Sequence, residues 1–424
     1  MIKFLVNGLL RDRQRSLIPI LVVTIGVCIT VFFHAYLQGT LGEMIDSTAR
    51  FQTGHIKIMS RAYAENSDQK PNDLSLIGVG QITADLQQKY PEMTWVQRIQ
   101  FGGLLDIPDA NGETLSQGPV FGMGVDLLSS GTSEIKLLNI EKALVRGRLP
   151  QNSGEILISD GLARRLEIKP GESSTLFTST MYGSIATYNF TVVGTIQFGF
   201  AVMDRGAMIV DLTDIRNAMD MEDAAGEILG YMPNRIYDDQ KAAIIVDQFN
   251  ANHSVVSDDF APVMGKLKEL SNLSDYLVMA EYLGLILVFV FVFIMSIVLW
   301  NVGLLGGLRR YGEVGLRIAI GEQKGSVYRS MIYESIFVGL TGSIIGTLFG
   351  LSAAYCLQVW GWDISSMVKN ITMMYPSVIR AKITKETYYI GFFPGLFSTV
   401  FGTALSGIGI YKRQTAQLFK ELEV

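Results

Sequence analysis

Four long apolar stretches, each free of Asp, Glu, Lys and Arg, constrain the fold of this chain more than any other feature. They cover residues 17–37, 282–305, 335–359 and 388–411. A transmembrane helix needs roughly 20 consecutive apolar residues, so each stretch is long enough to cross a bilayer. The sequence therefore predicts a membrane protein with four transmembrane α-helices and a large α+β extracytoplasmic domain inserted between the first and second helices.

The positions of the basic residues predict the topology. Lys3, Arg11, Arg13 and Arg15 precede the first span, and short loops rich in Lys and Arg stay in the cytoplasm. The outer loop between the last two spans fits less well, because it also carries four basic residues. The predicted segments are the cytoplasmic N-terminus 1–16, the spans 17–37, 282–305, 331–359 and 388–411, the outer domain 38–281, the cytoplasmic segment 306–330, the outer loop 360–387 and the cytoplasmic tail 412–424.

The outer domain is acidic and holds no cysteine. Residues 40–275 contain 19 Lys and Arg against 31 Asp and Glu, a net charge of −12. A nucleic-acid partner needs a basic surface, so this composition argues against one. Cys28 and Cys356 both fall in predicted spans, so we expect the outer domain to be held by its apolar core without disulfides.

Short alternating strands and short helices predict an α+β domain of two subdomains. Strands are predicted at residues 54–60, 94–108 and 155–160, with an amphipathic helix over 80–90. Residues 263–281 are predicted to form a helix that runs into the second span.

Motifs for catalysis are missing from the sequence. The three histidines do not pair at a metal-binding spacing, and His34 is predicted at the membrane interface, with His55 and His253 on the surface. No GxxxxGK[ST] phosphate loop or GxSxG elbow occurs. We therefore expect no cofactor or metal on this chain, no ATP hydrolysis by it, and no role for its scattered carboxylates.

Glycines in the third predicted span are spaced for close helix packing. Gly342, Gly346 and Gly350 recur every four residues and so share one helix face, and Gly402 is part of a weaker pattern in the fourth span. The four apolar stretches 17–37, 282–305, 335–359 and 388–411 carry no charged side chain for an ion path. The energy for any transport must therefore come from elsewhere.

The cytoplasmic segment between the second and third spans mixes basic and apolar residues. Residues 309–329 read RRYGEVGLRIAIGEQKGSVYR. A solvated turn that obeys the positive-inside rule would explain the charges but not the apolar residues. An amphipathic helix in the groove of a partner explains both.

Several strings place the chain in a known family. EVGLRIAIG at 313–321, the basic start GLLRDRQRSLIPILVVTIGV at 8–27, and the tail YKRQTAQLFKELEV at 411–424 resemble FtsX-like permeases. The outer-domain string GRLPQNSGEILISDGLARRLEIKPGESSTL at 147–176 is similar to the MacB-type periplasmic core domain. The resemblance covers most of the chain in the family's order. The phosphate-binding motif of a fused ATPase is missing, so the layout resembles the lipoprotein-releasing Lol permeases most.

This resemblance implies a permease subunit in the bacterial inner membrane, with both termini cytoplasmic and the large domain periplasmic. ATP and Mg would be bound by a separate ABC ATPase subunit, and a second permease protomer, identical or different, would complete the complex. Membrane lipid and a periplasmic chaperone or adaptor are further expected partners. The resemblance also implies that residues 263–281 and 38–50 form a stalk that joins the spans to the periplasmic domain. The coupling helix, residues 311–327, would dock on the ATPase; the implied coupling residues are Glu313, Val314, Gly315, Arg317, Ala319 and Gly321.

Three functions stay open at this point. The first is ATP-driven release of lipoproteins from the membrane, which the layout favours. The second is a MacB-like efflux permease that works with a periplasmic adaptor. The third is a mechanotransmitting regulator of a periplasmic enzyme that moves no cargo.

Overall fold

The structure, a computed structural model, describes residues 13–109, 111–199, 201–253, 258–270, 279, 282–286, 289–291, 293–294, 297–298, 316–364 and 378–412. These residues fall into two compact units. The helical unit lies within Met1–Gly42, Leu277–Trp362 and Ile379–Val424, and the β-rich unit within Glu43–Tyr276 and Asp363–Val378.

The elements alternate in the β-rich unit and are long in the helical unit. The α-helices are α1 Arg13–Thr48, α2 Arg61–Glu65, α3 Val79–Lys89, α4 Glu134–Leu137, α5 Ile140–Ala143, α6 Asp160–Arg165, α7 Ala201–Gly206, α8 Leu212–Met219, α9 Asp239–Asn252, α10 Leu267–Leu270, α11 Lys324–Trp360 and α12 Phe392–Lys412. The strands are β1 Ile56–Ser60, β2 Leu76–Ile77, β3 Thr94–Pro108, β4 Thr114–Val125, β5 Leu144–Gly147, β6 Glu155–Ser159, β7 Ser173–Ser179, β8 Ile185–Ile196, β9 Ala207–Asp211, β10 Ala224–Ala225, β11 Glu227–Tyr231, β12 Pro262–Lys266, β13 Trp362–Asp363 and β14 Val378–Ile379. A π-helical turn, Ala49–Thr53, continues α1, and 3-10 turns lie at Asn72–Leu74, Pro233–Arg235 and Glu386–Tyr388.

Three described helices are long and apolar enough to cross a membrane. They are Leu17–Thr53, Lys324–Trp360 and Glu386–Gly407. The predicted second span is helical at its described positions between residues 282 and 298, and the rest of it lies outside the described residues. The protein is thus a membrane protein with a large α+β domain inserted after its first helix, as predicted.

A ten-stranded sheet forms the β-rich unit, with the order β12-β1-β11-β3-β4-β9-β6-β8-β5. Strand β7 pairs with both β3 and β8, so six strands, β3, β4, β9, β6, β8 and β7, close into a ring. The long strand β3 pairs with β11 through residues 94–98 and with β4 through residues 99–108. The two subdomains predicted from the sequence therefore share one connected sheet.

Alternating apolar side chains fill this sheet's main core. Leu105, Leu176 and Phe190 on the ring strands are buried, in contact with helices α3, α8 and α9 through residues such as Leu86 and Ile215. A second cluster includes Phe51 of the π-helical turn with Leu138, Ile140, Leu157 and Ile196. Burial of one large apolar side chain contributes roughly 1.5–3 kcal/mol, so the domain needs no disulfide for its core.

The predicted stalk helix at residues 263–281 is wrong at its beginning. Pro262–Lys266 form the edge strand β12, which pairs with all five residues of β1. The short helix Leu267–Leu270 follows, and residues 271–278 lie outside the described residues. Alternation in PVMGK fits a strand as well as a helix, and pairing with β1 decides between them.

Candidate functional site

The described part of the segment predicted to be cytoplasmic, residues 316–322, forms a short helical turn braced by one ion pair. Arg317 donates from Nε and Nη2 to the two carboxylate oxygens of Glu322, at 2.7 and 3.0 Å. The Ser326 hydroxyl donates to the same carboxylate at 2.8 Å. These hydrogen bonds, first the one from Arg317 and then that from Ser326, lower the pKa of Glu322. The carboxylate therefore stays charged and ties the turn to the start of α11.

Apolar residues of this turn divide between an anchored side and a free side. Ile318 packs against Val327 and Met331 of α11. Leu316 and Ile320, one helical turn apart, are 58% and 78% exposed. The turn is thus held to α11 on one side and presents two aliphatic side chains on the other.

The predicted coupling helix is not continuous. Helical residues 316–319 are followed by Gly321 with a φ of +99°, and α11 begins only at Lys324. A positive φ favours glycine, which explains why the helix ends there. Of the predicted coupling residues, Ala319 and Gly321 are exposed and Arg317 is turned to Glu322, whereas Glu313, Val314 and Gly315 lie outside the described residues.

Helix α11 meets α1 along its glycines. A Cβ added to Gly342, Gly346 or Gly350 would lie 2.8 Å from the Cβ of Val23, Val27 or Val31, respectively. The same Cβ atoms would lie 2.6–3.1 Å from the backbone oxygens of Thr24, Cys28 and Ile20. We call this row of three Gly–Val contacts the glycine seam. Only glycine allows such close approach of the two backbones.

Helix α12 packs into the same bundle. A Cβ on Gly395 would lie 2.4 Å from Val27 and 2.7 Å from Ser343, and one on Gly391 would lie 2.8 Å from Val31. The predicted packing residue Gly402 is buried, and close approaches occur at Gly395 and Gly407 of α12 and at Gly391 just before it. His34 of α1, predicted at the interface, lies 3.1 Å from the Thr387 hydroxyl.

The β-rich unit contains buried charges that the sequence analysis assigned no role. Arg98 and Glu134 are fully buried and paired, and so are Lys57 and Glu227, with Nζ 2.7 Å from the Glu227 carboxylate. His55, predicted on the surface, is also buried, and burial lowers its pKa to about 4 although Asp46 opposes the shift. An alternating strand pattern cannot reveal such residues, because their partners come from distant strands.

No group of three His, Cys, Asp or Glu side chains suited to a metal ion occurs among the residues that the structure describes. Three other features stand out. They are an exposed apolar turn, a tightly packed helix seam, and a domain with buried ion pairs.

Comparisons with known proteins agree with the predicted family. Residues 285–415 match the family FtsX-like permease C-terminal. The macrolide export ATP-binding/permease protein MacB of Sodalis glossinidius is 32% identical over 78 residues, which are 18% of this chain and 12% of that protein. MacB of Chlorobaculum tepidum is 33% identical over 109 residues, 26% of this chain and 15% of that protein.

The matched stretches thus span only a small part of these curated relatives. The crystal structure of the periplasmic region of MacB from Actinobacillus actinomycetemcomitans superposes with a TM-score of 0.35 and 9% identity, over 52% of this chain and 92% of that chain. The family match and the two MacB stretches confirm the resemblance to FtsX-like and MacB-type permeases predicted from the sequence: residues 285–415 carry an FtsX-like permease C-terminal domain.

Proposed function

We propose that this chain is the transmembrane subunit of a MacB/Lol-type ABC transporter that releases lipoproteins from the bacterial inner membrane. ATP and Mg bind to a separate ATPase subunit, and a second permease protomer completes the complex. Both termini are cytoplasmic and the β-rich domain is periplasmic. The observation that carries this proposal is the braced apolar turn at the start of α11, in a chain with an FtsX-like permease domain.

The turn is the surface that receives the ATPase. Leu316 and Ile320 present aliphatic area to solvent at i and i+4, the spacing by which an amphipathic helix fills a groove. The ion pair Arg317–Glu322 orders the turn, and the hydrogen bond from Ser326 to Glu322 and the contact of Ile318 with Val327 hold the turn against α11. A push on Leu316 and Ile320 is therefore passed to α11 and is not lost in a flexible loop.

The glycine seam carries the displacement onward. Because α11 and α1 touch through backbone atoms and Cβ atoms, they cannot slide past each other without a clash. Helix α1 continues through the turn Ala49–Thr53 into the first strand of the β-rich domain. Motion that starts at the ATPase thus reaches the periplasmic domain along one uninterrupted run of chain.

We assign lipoproteins as the cargo because the layout of the chain resembles that of Lol permeases and because the spans are apolar. A periplasmic chaperone would take the cargo, and we assign its docking to the hairpin between β7 and β8. Tyr182 and Ile185 lie at its tip and are largely exposed, and exposed apolar side chains of this kind mark interaction sites when they cluster.

Efflux through a periplasmic adaptor is the second candidate function. It is favoured by the similarity to two proteins named for macrolide export. The two functions predict different periplasmic partners, a lipoprotein chaperone in one case and an adaptor in the other. The third candidate is a mechanotransmitting regulator of a periplasmic enzyme that moves no cargo. It ranks below both because no contact among the described residues favours it.

The test is purification of the full-length protein with its ATPase. The variant Ile320→Glu places a charge on the exposed apolar side of the turn, and Gln323→Glu places the same charge on the neighbouring exposed residue as a control. We expect the ATPase to co-purify with the wild type and with Gln323→Glu, and to be lost with Ile320→Glu. Retention of the ATPase and of stimulated hydrolysis by Ile320→Glu would remove the basis of the proposal.

Reconstitution then separates the candidate functions. Wild-type complex in proteoliposomes should release a lipoprotein to its chaperone when ATP is added. Export of a small amphiphile with no release of lipoprotein would favour efflux instead, and neither activity would favour the regulator.

A further inference from the structure

Three distant segments of the β-rich domain meet at one buried guanidinium. Arg98 on β3 is fully buried, and it donates from Nε and Nη2 to the two oxygens of Glu134, at 2.8 and 2.7 Å. Its Nη1 donates to the backbone carbonyl of Arg50 at 2.6 Å, and Nη2 also contacts the Tyr231 hydroxyl at 3.1 Å. Glu134 begins α4, Tyr231 ends β11, and Arg50 lies in the turn that continues α1.

Tyr231 makes a second contact with that turn. Its hydroxyl donates to the carbonyl of Ala49 at 2.9 Å, and the Gly54 N–H donates to the same carbonyl at 2.8 Å. The last carbonyls of a helix have no partner within it and carry partial negative charge. A cation and a hydroxyl from two strands satisfy them here, so the end of α1 is bound to the sheet by its own backbone.

The electrostatics favour a permanent ion pair at this place. Burial alone would lower the pKa of Arg98, but the Glu134 carboxylate beside it raises that pKa on balance, so the guanidinium keeps its charge. Apolar side chains of similar volume often stabilise a core as well as a buried ion pair does. Apolar side chains could not bind the carbonyl of Arg50, however. The contact with the helix end is what the ion pair adds.

We propose that Arg98, Glu134 and Tyr231 form a clamp that fixes the end of α1 to the sheet, so that a displacement of α1 moves the periplasmic domain as a rigid body. The clamp residues are positioning residues, since they touch neither the ATPase nor cargo. The inference rests on the proposed function and adds the residues through which the motion enters the domain. A contact that served stability alone would not have to engage the backbone of the helix end.

The deciding variant keeps the core filled and removes the clamp. Arg98→Met with Glu134→Leu replaces the ion pair by apolar side chains. The control, Arg148→Met with Glu155→Leu, replaces a bidentate ion pair that does not contact Arg50 or Ala49. In that control pair Arg148 lies 2.6 and 2.7 Å from the oxygens of Glu155. If the double clamp variant fails to fold, Tyr231→Phe removes one hydroxyl only and takes its place.

Two measurements on the full-length complex are compared. The first is a spin-label distance distribution between Met44→Cys and Leu115→Cys, an exposed position on β4 outside the β7–β8 hairpin, in a background where Cys28 and Cys356 are replaced by alanine. The second is lipoprotein released per ATP hydrolysed. For the clamp variant we expect a broadened distribution and a loss of release within the roughly 5- to 150-fold range of coupling between sites, with the control like wild type.

A narrow, wild-type distribution together with wild-type release in a folded clamp variant would overturn the clamp. Equal loss in the control pair would overturn it as well, because the effect would then be general to ion pairs of the domain. If the wild type releases no lipoprotein but the clamp variant alone broadens the distribution, the cargo assignment fails and the clamp is supported.

Discussion

The helical unit and the β-rich unit both bring backbone segments into close contact, but by opposite chemistry. In the helical unit the contact is the glycine seam, where Gly346 leaves no room between α11 and Val27 of α1. In the β-rich unit the contact at the end of α1 is made by a buried ion pair, Arg98 with Glu134.

The difference follows from the surroundings of each unit, which are lipid for the helical unit and water for the β-rich unit. Lipid provides no hydrophobic drive for helices to associate and makes a charged side chain costly, so apolar shape has to hold the helices together. In water the apolar core already drives folding, and the cost of burying a charge can be met by a partner and hydrogen bonds. Added side-chain volume should therefore disrupt the glycine seam, and removal of a buried charge should destabilise the β-rich unit.

The largest effect is expected from added volume in the seam. In Gly346→Leu the new Cβ meets the Thr24 carbonyl, which a Cβ would approach to 2.6 Å. Overpacking costs roughly 1–3 kcal/mol where side chains can move aside, and a backbone carbonyl cannot. We expect α1 and α11 to separate, measured as loss of the monodisperse peak in size-exclusion chromatography and of the cooperative thermal transition.

The matched control is Ala353→Leu, which adds the same side chain to an exposed position of α11. This variant should elute and melt like the wild type. A normal thermal transition for Gly346→Leu would show that the seam yields more easily than its contacts indicate.

Removal of one buried charge should give the next largest effect. Glu227 accepts hydrogen bonds from Lys57 at 2.7 Å, Gln100 at 3.0 Å and Lys70 at 3.3 Å. Glu227→Gln leaves the buried ammonium of Lys57 uncompensated, which costs roughly 3–5 kcal/mol. Glu269→Gln, which weakens the exposed pair of Glu269 with Lys266 at 3.5 Å, should cost about 1 kcal/mol or less. Urea unfolding of the full-length protein in detergent measures both, and similar costs would contradict the comparison.

Protonation of His55 is a milder way to put charge into the same domain. Its Nδ1 accepts the Met232 N–H at 3.0 Å, and burial lowers its pKa to about 4 from an unfolded value near 6.5. The unfolded chain then binds more protons than the folded one, so stability is complete above about pH 6.5 and falls between there and pH 4, by about 3 kcal/mol in all.

Thermal midpoints of wild type and His55→Gln between pH 7.5 and 4.5 test this. The amide oxygen of glutamine can accept the Met232 N–H and does not titrate in this range, so the variant should lose part of the slope. Parallel curves for the two proteins would show that other groups cause the acid sensitivity.

Local patterns in the sequence predicted several of the elements. Alternation located β1, β3 and β6, and the four-residue spacing located Gly342, Gly346 and Gly350 on one helix face. Closure of the ring by β7 and the pairing of β12 with β1 were missed, because they depend on which distant strand offers a free edge. A local window of sequence does not contain that information.

The buried charges escaped prediction for the same reason. Arg98 and Glu134 are separated by 36 residues, and Lys57 and Glu227 by 170. Each looks like an ordinary surface charge until the sheet places its partner beside it. In the predicted coupling segment, residues 311–327, the break at Gly321 was not predicted, and all six coupling residues named from the sequence remain predictions.

The smallest effect on stability is expected where a charge pair is exposed. Arg317→Gln removes the ion pair with Glu322 in the turn of residues 316–322. The thermal midpoint should stay as in wild type, because water screens such a pair. The pKa of Glu322, which the Arg317 hydrogen bond now lowers, should rise toward its ordinary value. ATPase stimulation should fall, though less than in Ile320→Glu, since Leu316 and Ile320 still present their apolar side chains on a less ordered turn. A drop in thermal stability without a change in stimulation would mean that this ion pair serves the fold and has no part in coupling.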